Sequence, residues 1–127
     1  MLRKKDSANI MIVSSALAYV PYAKMPVYCA CKAFLHSYTQ SLRYQLAKTN
    51  IKVIELLPPL VETPMTADFE KKEGFDAMPV DKFVAAVRNG LDKGDKEIYP
   101  GQASQMRFMS RYFYDMFVGM VNKEFVE

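Results

Sequence analysis

Residues 10 to 13, Ile10-Met11-Ile12-Val13, are apolar without alternation and rich in β-branched side chains. A strand with one wet face alternates apolar and polar residues, so an unbroken run reads as a strand covered on both faces, inside a parallel sheet. Parallel strands need long crossover connections, usually helices. The sequence supplies them. After a loop with Pro21 and Pro26, apolar residues at 27, 31, 34, 35, 38, 42 and 46 predict an amphipathic helix from residue 27 to about 48. Residues 51 to 57, IKVIELL, read as a second buried strand, stopped by Pro58-Pro59. Thr63 before Pro64 predicts a cap and a short helix over 64 to 72. Pro79 opens a further helix with Asp81 in its first turn and Gly94 near its end. Residues 96 to 99 read as a brief third strand before Pro100-Gly101, with a last helix after it. This order predicts an α/β layered sheet of about three strands with right-handed crossover helices. A first strand apolar on both faces also predicts neighbours on both edges. Only the charged stretch from Arg3 to Ser7 precedes it, so part of the sheet is expected to be missing upstream.

Composition narrows the function classes. Half of the 127 residues are hydrophobic and 24% are charged, enough for one core without disulfide staples. The net charge of +3 is spread along the chain, so nucleic acid is not an expected partner. Cys29 and Cys31 are two apart on the predicted helix and point about 200° apart, so they neither pair with each other nor share a metal. Reduced thiols fit a cytoplasmic location. Met1 to Lys5 ahead of an apolar stretch imitates a secretory leader, but Asp6, Ser7 and Asn9 interrupt it and Ser14 and Ser15 split the stretch. No run reaches the roughly 20 apolar residues of a membrane span.

The chemistry concentrates on one helix. Tyr28 and Lys32 are four apart, one turn apart on one face. An ammonium beside a phenol stabilises the phenolate, and bringing a phenol from a pKa of roughly 10 to roughly 7 takes about 4 kcal/mol of differential stabilisation. A second donor helps. Ser15 lies 13 residues before Tyr28, at the C-terminal end of the first strand, where open α/β sheets bind ligands. A substrate oxygen held between the two hydroxyls would have its general acid in place. Tyr44 and Lys48 repeat the spacing, but 13 residues before Tyr44 stands Cys31, within the helix, so that pair reads as solvated. From spacing alone, an exposed Tyr28 and Lys32 remains the alternative.

The run Ile10-Met11-Ile12-Val13-Ser14-Ser15, the 13-residue gap, Tyr28-x-x-x-Lys32, the helix that continues Ala33-Phe34-Leu35-His36-Ser37-Tyr38-Thr39-Gln40-Ser41-Leu42-Arg43, and Pro58-Pro59-Leu60-Val61-Glu62-Thr63 together resemble the short-chain dehydrogenase/reductase family. Pro58-Pro59 and Met78-Pro79-Val80-Asp81-Lys82-Phe83 are similar to its DltE-like branch. The resemblance spans residues 1 to about 101 and implies the C-terminal half of a doubly wound Rossmann-type parallel sheet. It implies that Ser15 polarises a substrate carbonyl, that Tyr28 exchanges the proton, and that Lys32 makes Tyr28 more acidic while bonding the nicotinamide ribose. Pro58, Val61 and Thr63 would line the nicotinamide of NAD or NADP, and hydride would pass to or from a small-molecule carbonyl or secondary alcohol. Thr63 also reads simply as a helix cap.

Two departures stand out. The family usually has Gly where Pro59 stands, a change shared by the DltE-like branch. All five glycines (74, 90, 94, 101 and 119) lie beyond residue 73, so no glycine-rich phosphate turn occurs, nor the family's Asn-Ala-Gly stretch and catalytic Asn. The N-terminal dinucleotide-binding half is therefore expected to be absent, and the isolated chain inactive. The alternative is a non-catalytic module that self-associates through the exposed strand edge and the long helix.

Other features read more simply. His36 continues the Tyr28-Lys32 stripe, and eight residues of helix place it about 12 Å from Tyr28, favouring a structural or interface role over a proton relay. Met109, Tyr112, Phe113, Met116, Phe117, Met120 and Val121 form an apolar stripe expected in the core or at a subunit contact, with a substrate-channel or membrane-surface face as alternatives. A homo-oligomer is expected. The loop between Pro64 and Pro79, with Met65, Phe69, Phe75 and Met78, is expected to give the substrate an apolar lining, and Lys71-Lys72 reads as solvated.

Overall fold

The computed structural model describes residues 2–64, 66–67 and 76–125. Three strands, β1 (Ala8–Val13), β2 (Ile51–Leu56) and β3 (Glu97–Ile98), form one sheet in the order β1-β2-β3. Both pairings are parallel, with Ala8 opposite Ile51 and Leu56 opposite Ile98. The helices are α1 (Pro26–Gln45), α2 (Val80–Asp92), α3 (Gln102–Tyr112) and α4 (Tyr114–Val121). A single 3₁₀ turn, Ala16–Ala18, follows β1.

Residues in register share a face of a parallel sheet, which sorts the layers. Ile10, Ile12, Val53, Glu55 and Glu97 face α1, whose Arg43 and His36 bond to Glu97 and Glu55. Leu56 and Ile98 face the opposite side, where α2 packs. The approach is close enough that a Cβ at Gly90 would lie 2.9 Å from Ile98 Cγ1. The α/β expectation therefore holds, with helices on both faces. α2 ends as its sequence predicts. Gly94 takes φ 74°, its N–H donates to Leu91 O and the Asp95 N–H donates to Gly90 O, the paired bonds that close a helix through a left-handed glycine.

Two expectations need correction. β1 is not covered on both faces: Met11 is 41% exposed and Val13 50%. Among the described residues β1 has no strand on its outer edge and α2 lies over β3, so nothing described covers that face of β1. The final helix is not continuous. Phe113, at φ −138° and ψ 43°, breaks it within the aromatic run Tyr112-Phe113-Tyr114, whose residues are indifferent helix formers. The predicted apolar stripe is thereby split. Phe117 is buried, whereas Tyr112, Phe113, Met116 and Met120 are exposed.

Of the short helix predicted over 64 to 72, its opening is seen: Thr63 O accepts from Thr66 N and Ala67 N. The remainder lies outside the described residues, as do Met65, Phe69, Phe75 and Lys71-Lys72. Cys29 is buried and Cys31 exposed, both unpaired, as opposite helix faces require.

Candidate active site

The strand tips build the site. β1 and β2 continue their ladder beyond the regular strands, with Ser14 N donating to Leu56 O (2.9 Å) and Ala16 N to Pro58 O (2.9 Å). Ser15 and Pro58 are thus brought to neighbouring tips. Ser15 is buried and caps the 3₁₀ turn, its Oγ accepting from Leu17 N at 3.1 Å. That bond occupies a lone pair and leaves the hydroxyl proton to donate. α1 begins at Pro26, after the loop that follows this turn, and packs against the turn.

Tyr28 lies in the first turn of α1 and is 40% exposed. Lys32 Nζ sits 5.5 Å from the centre of the Tyr28 ring and donates to Val13 O at 3.2 Å. The ammonium is therefore near both the Tyr28 ring and the end of β1. Tyr44, the analogue in the repeated spacing, is 85% exposed and Lys48 lies beyond the helix end, as expected for a solvated pair.

The remaining predicted positions follow β2. Val61 forms a parallel bridge with Met78, closed by Met78 N to Leu60 O (2.8 Å) and Glu62 N to Met78 O (3.0 Å). At Thr63 the side-chain cap comes from Thr66: Thr63 N donates to Thr66 Oγ1 (3.0 Å), and the two hydroxyls lie 3.0 Å apart. Thr66 does part of the work expected of Thr63. Among the described residues no group of three or more His, Cys, Asp or Glu is arranged to hold a metal.

Beneath the tips runs a polar network that the sequence reading missed. Glu55, fully buried in β2, accepts from Ser14 Oγ (2.5 Å) and from His36 Nδ1 (2.9 and 3.0 Å to its two oxygens). The other ring nitrogen of His36 pairs with Gln40 Nε2 at 3.0 Å, and the Tyr19 ring stands edge-on to the imidazole at 4.8 Å. Outside this, Glu97 bonds to Tyr99 Oη and to Arg43. Burial raises the Glu97 carboxyl, but the Tyr99 and Arg43 bonds outweigh it and leave the group below its ordinary value. Burial, then the bond to Glu97, pushes the Tyr99 phenol far up, and burial raises Tyr19. The signal in the sequence was an acid between Ile54 and Leu56, with the chain's one histidine a turn beyond Lys32.

A protein-family model described as short chain dehydrogenase matches residues 1–74. Over 125 residues the chain is 36% identical to the uncharacterized oxidoreductase DltE of Bacillus subtilis, covering 97% of this chain and 50% of that protein. It is 30% identical over 96 residues to an 11-beta-hydroxysteroid dehydrogenase-like 2 of Arabidopsis thaliana, covering 72% of this chain and 31% of the relative. A short chain dehydrogenase from Burkholderia cenocepacia, solved in complex with NADP, superposes with a TM-score of 0.83 at 26% identity, covering 94% of this chain and 50% of that one. The chain belongs to the short-chain dehydrogenase/reductase family, and its sheet is of the Rossmann type found there. It spans about half the length of DltE.

Proposed function

We propose that these residues form the catalytic half of an oxidoreductase that moves hydride between NAD or NADP and a carbonyl or secondary alcohol. The supporting observation is Lys32, held by Val13 O beside the Tyr28 ring, next to the strand tip that carries Ser15. The residues present suit one end of a nicotinamide cofactor. Lys32 keeps two ammonium protons for ribose hydroxyls, while Pro58, Val61 and Thr63 offer a half-buried wall after β2. Family membership and the NADP-bound neighbour favour the same group.

When bound, the nicotinamide supplies or accepts the hydride. Ser15 donates its free proton to the substrate oxygen and orients it. Tyr28 gives that oxygen its proton in reduction and takes it back in oxidation. The Lys32 cation stabilises the negative charge left on Tyr28. No residue of this chain supplies a glycine-rich phosphate turn, so the 127 residues are read as a single partial Rossmann-type domain that turns over poorly alone. The unpaired thiols favour a reducing compartment, the cytoplasm. Among the described residues no helix is long and apolar enough to cross a membrane.

Nuclear magnetic resonance titration of the labelled chain with nicotinamide mononucleotide tests this reading. Saturable shifts are expected at Lys32, Val61 and Thr63, weakened in Tyr28→Phe and lost in Lys32→Ala, with NAD binding no tighter than the mononucleotide. Shifts that ignore both substitutions refute the site, and normal carbonyl reduction by the verified chain refutes its partial character.

A second reading has its own observations. Val27 (75% exposed), Phe34 (66%) and Tyr38 (48%) line the outer face of α1, and β1 has no partner on its outer edge among the described residues. Both surfaces favour self-association, with or without catalysis. Light scattering at high micromolar concentration separates a homo-oligomer from a monomer. Tyr28→Phe should leave association untouched.

A further inference from the structure

Glu55 is a carboxylate at 0% exposure in the middle of the sheet. An ionised carboxylate in such a place costs several kcal/mol unless hydrogen bonds offset it, and an apolar residue of similar volume is often no less stable there. Its two partners suggest what the acid does. Ser14 is bonded in sequence to Ser15, and His36 follows Lys32 by one helical turn. Lys32 itself donates to the carbonyl of Val13, the residue before Ser14.

α1 is thereby fastened to the end of β1 at two places: Lys32 to Val13 directly, and His36 to Ser14 through Glu55. One fastening lets a helix roll and slide about it. Two, a turn apart and joined further along the helix by the Arg43 bonds to Val53, Lys96 and Glu97, fix its axial position and limit its roll at the Tyr28 end. Tyr28 lies one turn further along the same stripe, so its place relative to Ser15 follows from these two points.

We propose that Glu55 is a positioning residue, which through Ser14 and His36 holds Tyr28 and Lys32 in register with Ser15. The inference rests on the reading of these residues as a nicotinamide-dependent site. Gln40 engages the far ring nitrogen of His36 and Tyr19 abuts the ring, so the imidazole presents Nδ1 to Glu55. Glu97, beside Glu55 in register, is bonded instead to Arg43 and Tyr99, so it does not compete for His36. A misplacement on the order of 1 Å in such a site costs about 100-fold in a reaction, and less in simple binding.

Nicotinamide mononucleotide is the probe, with its Kd read from Lys32 and Thr63 signals in the 127-residue chain. Glu55→Ala is expected to weaken binding about 10-fold or more. Glu55→Gln, which keeps the shape and one acceptor, restores most of the affinity. Phe117→Ala, at a buried position in α4 that makes none of these bonds, is the control for destabilisation alone and keeps the wild-type Kd. Should Glu55→Ala fail to fold, Ser14→Ala removes one of the two bonds and is expected to weaken binding about 3-fold. Wild-type Kd in a folded Glu55→Ala or Ser14→Ala chain, or equal losses in Phe117→Ala, overturns the positioning role while leaving the site intact. A wild-type chain that shows no mononucleotide shifts overturns the site reading and the positioning role together.

Discussion

Replacing Arg43 by Met tests how α1 is held against β2 and β3. The guanidinium donates to Val53 O through Nε (3.3 Å), to Lys96 O through Nη2 (3.1 Å) and to Glu97 Oε1 through Nη1 (3.0 Å). Methionine keeps the apolar stem and removes all three. A bond to a charged partner contributes about 1.5–3 kcal/mol and a neutral one about 1. The side chains of the ion pair are 21% and 20% exposed, so water takes over part of the loss, and bonds made by one side chain do not add fully. A loss of about 2 kcal/mol is expected. With an m-value of about 1.5 kcal/mol per molar urea, the unfolding midpoint falls by about 1.3 M. The difference also depends on pH. Glu97 is held below its ordinary value of 4.5, so its share is fully present above that value and is lost as pH falls through the lower folded pKa. The gap between wild type and Arg43→Met should therefore be widest near neutrality. It should shrink in acid to the part contributed by the two carbonyl bonds. Urea titrations followed by circular dichroism at several pH values measure both effects. A midpoint change below about 0.3 M, or a gap constant down to roughly pH 3, refutes the reasoning.

Gly90→Val puts side-chain carbon within 2.9 Å of Ile98 and should cost about 1–3 kcal/mol in urea unfolding, part of it recovered by adding Ile98→Val. Leu57→Ala, at 0% exposure, should cost about 2–5 kcal/mol in the same assay. A disulfide reagent should label one thiol quickly, Cys31, and reach Cys29 only on unfolding, as peptide mapping after brief exposure would show. Phe34→Asp should shift any oligomer toward monomer in light scattering without lowering the unfolding midpoint, since Phe34 is 66% exposed.

Local patterns made most of the scaffold legible. The parallel strands announce themselves as short apolar runs and the end of α2 by Gly94, whereas the apolar period that foretold α1 lies largely on its outer face, with Val27, Phe34 and Tyr38 exposed and Cys29 and Thr39 buried instead. Ser15, Tyr28 and Lys32 could be proposed as a site for the same reason, since one strand tip and one helical turn hold them within 18 positions of sequence. What the sequence hid is non-local. Ser14 and Glu55 are 41 positions apart, and His36 and Glu55 are 19 apart, so no spacing rule brings the three together before the sheet forms. Whether Met11 and Val13 are covered depends on what lies beside β1, and an apolar run reads identically in an interior or a terminal strand. The same physics links the two kinds of residue. A hydroxyl, a phenol and an ammonium can be placed near one another by local geometry, but that geometry leaves the helix free to turn on the sheet. Holding it still requires a contact across layers, and a buried carboxylate suits that task because it is costly whenever either partner moves away.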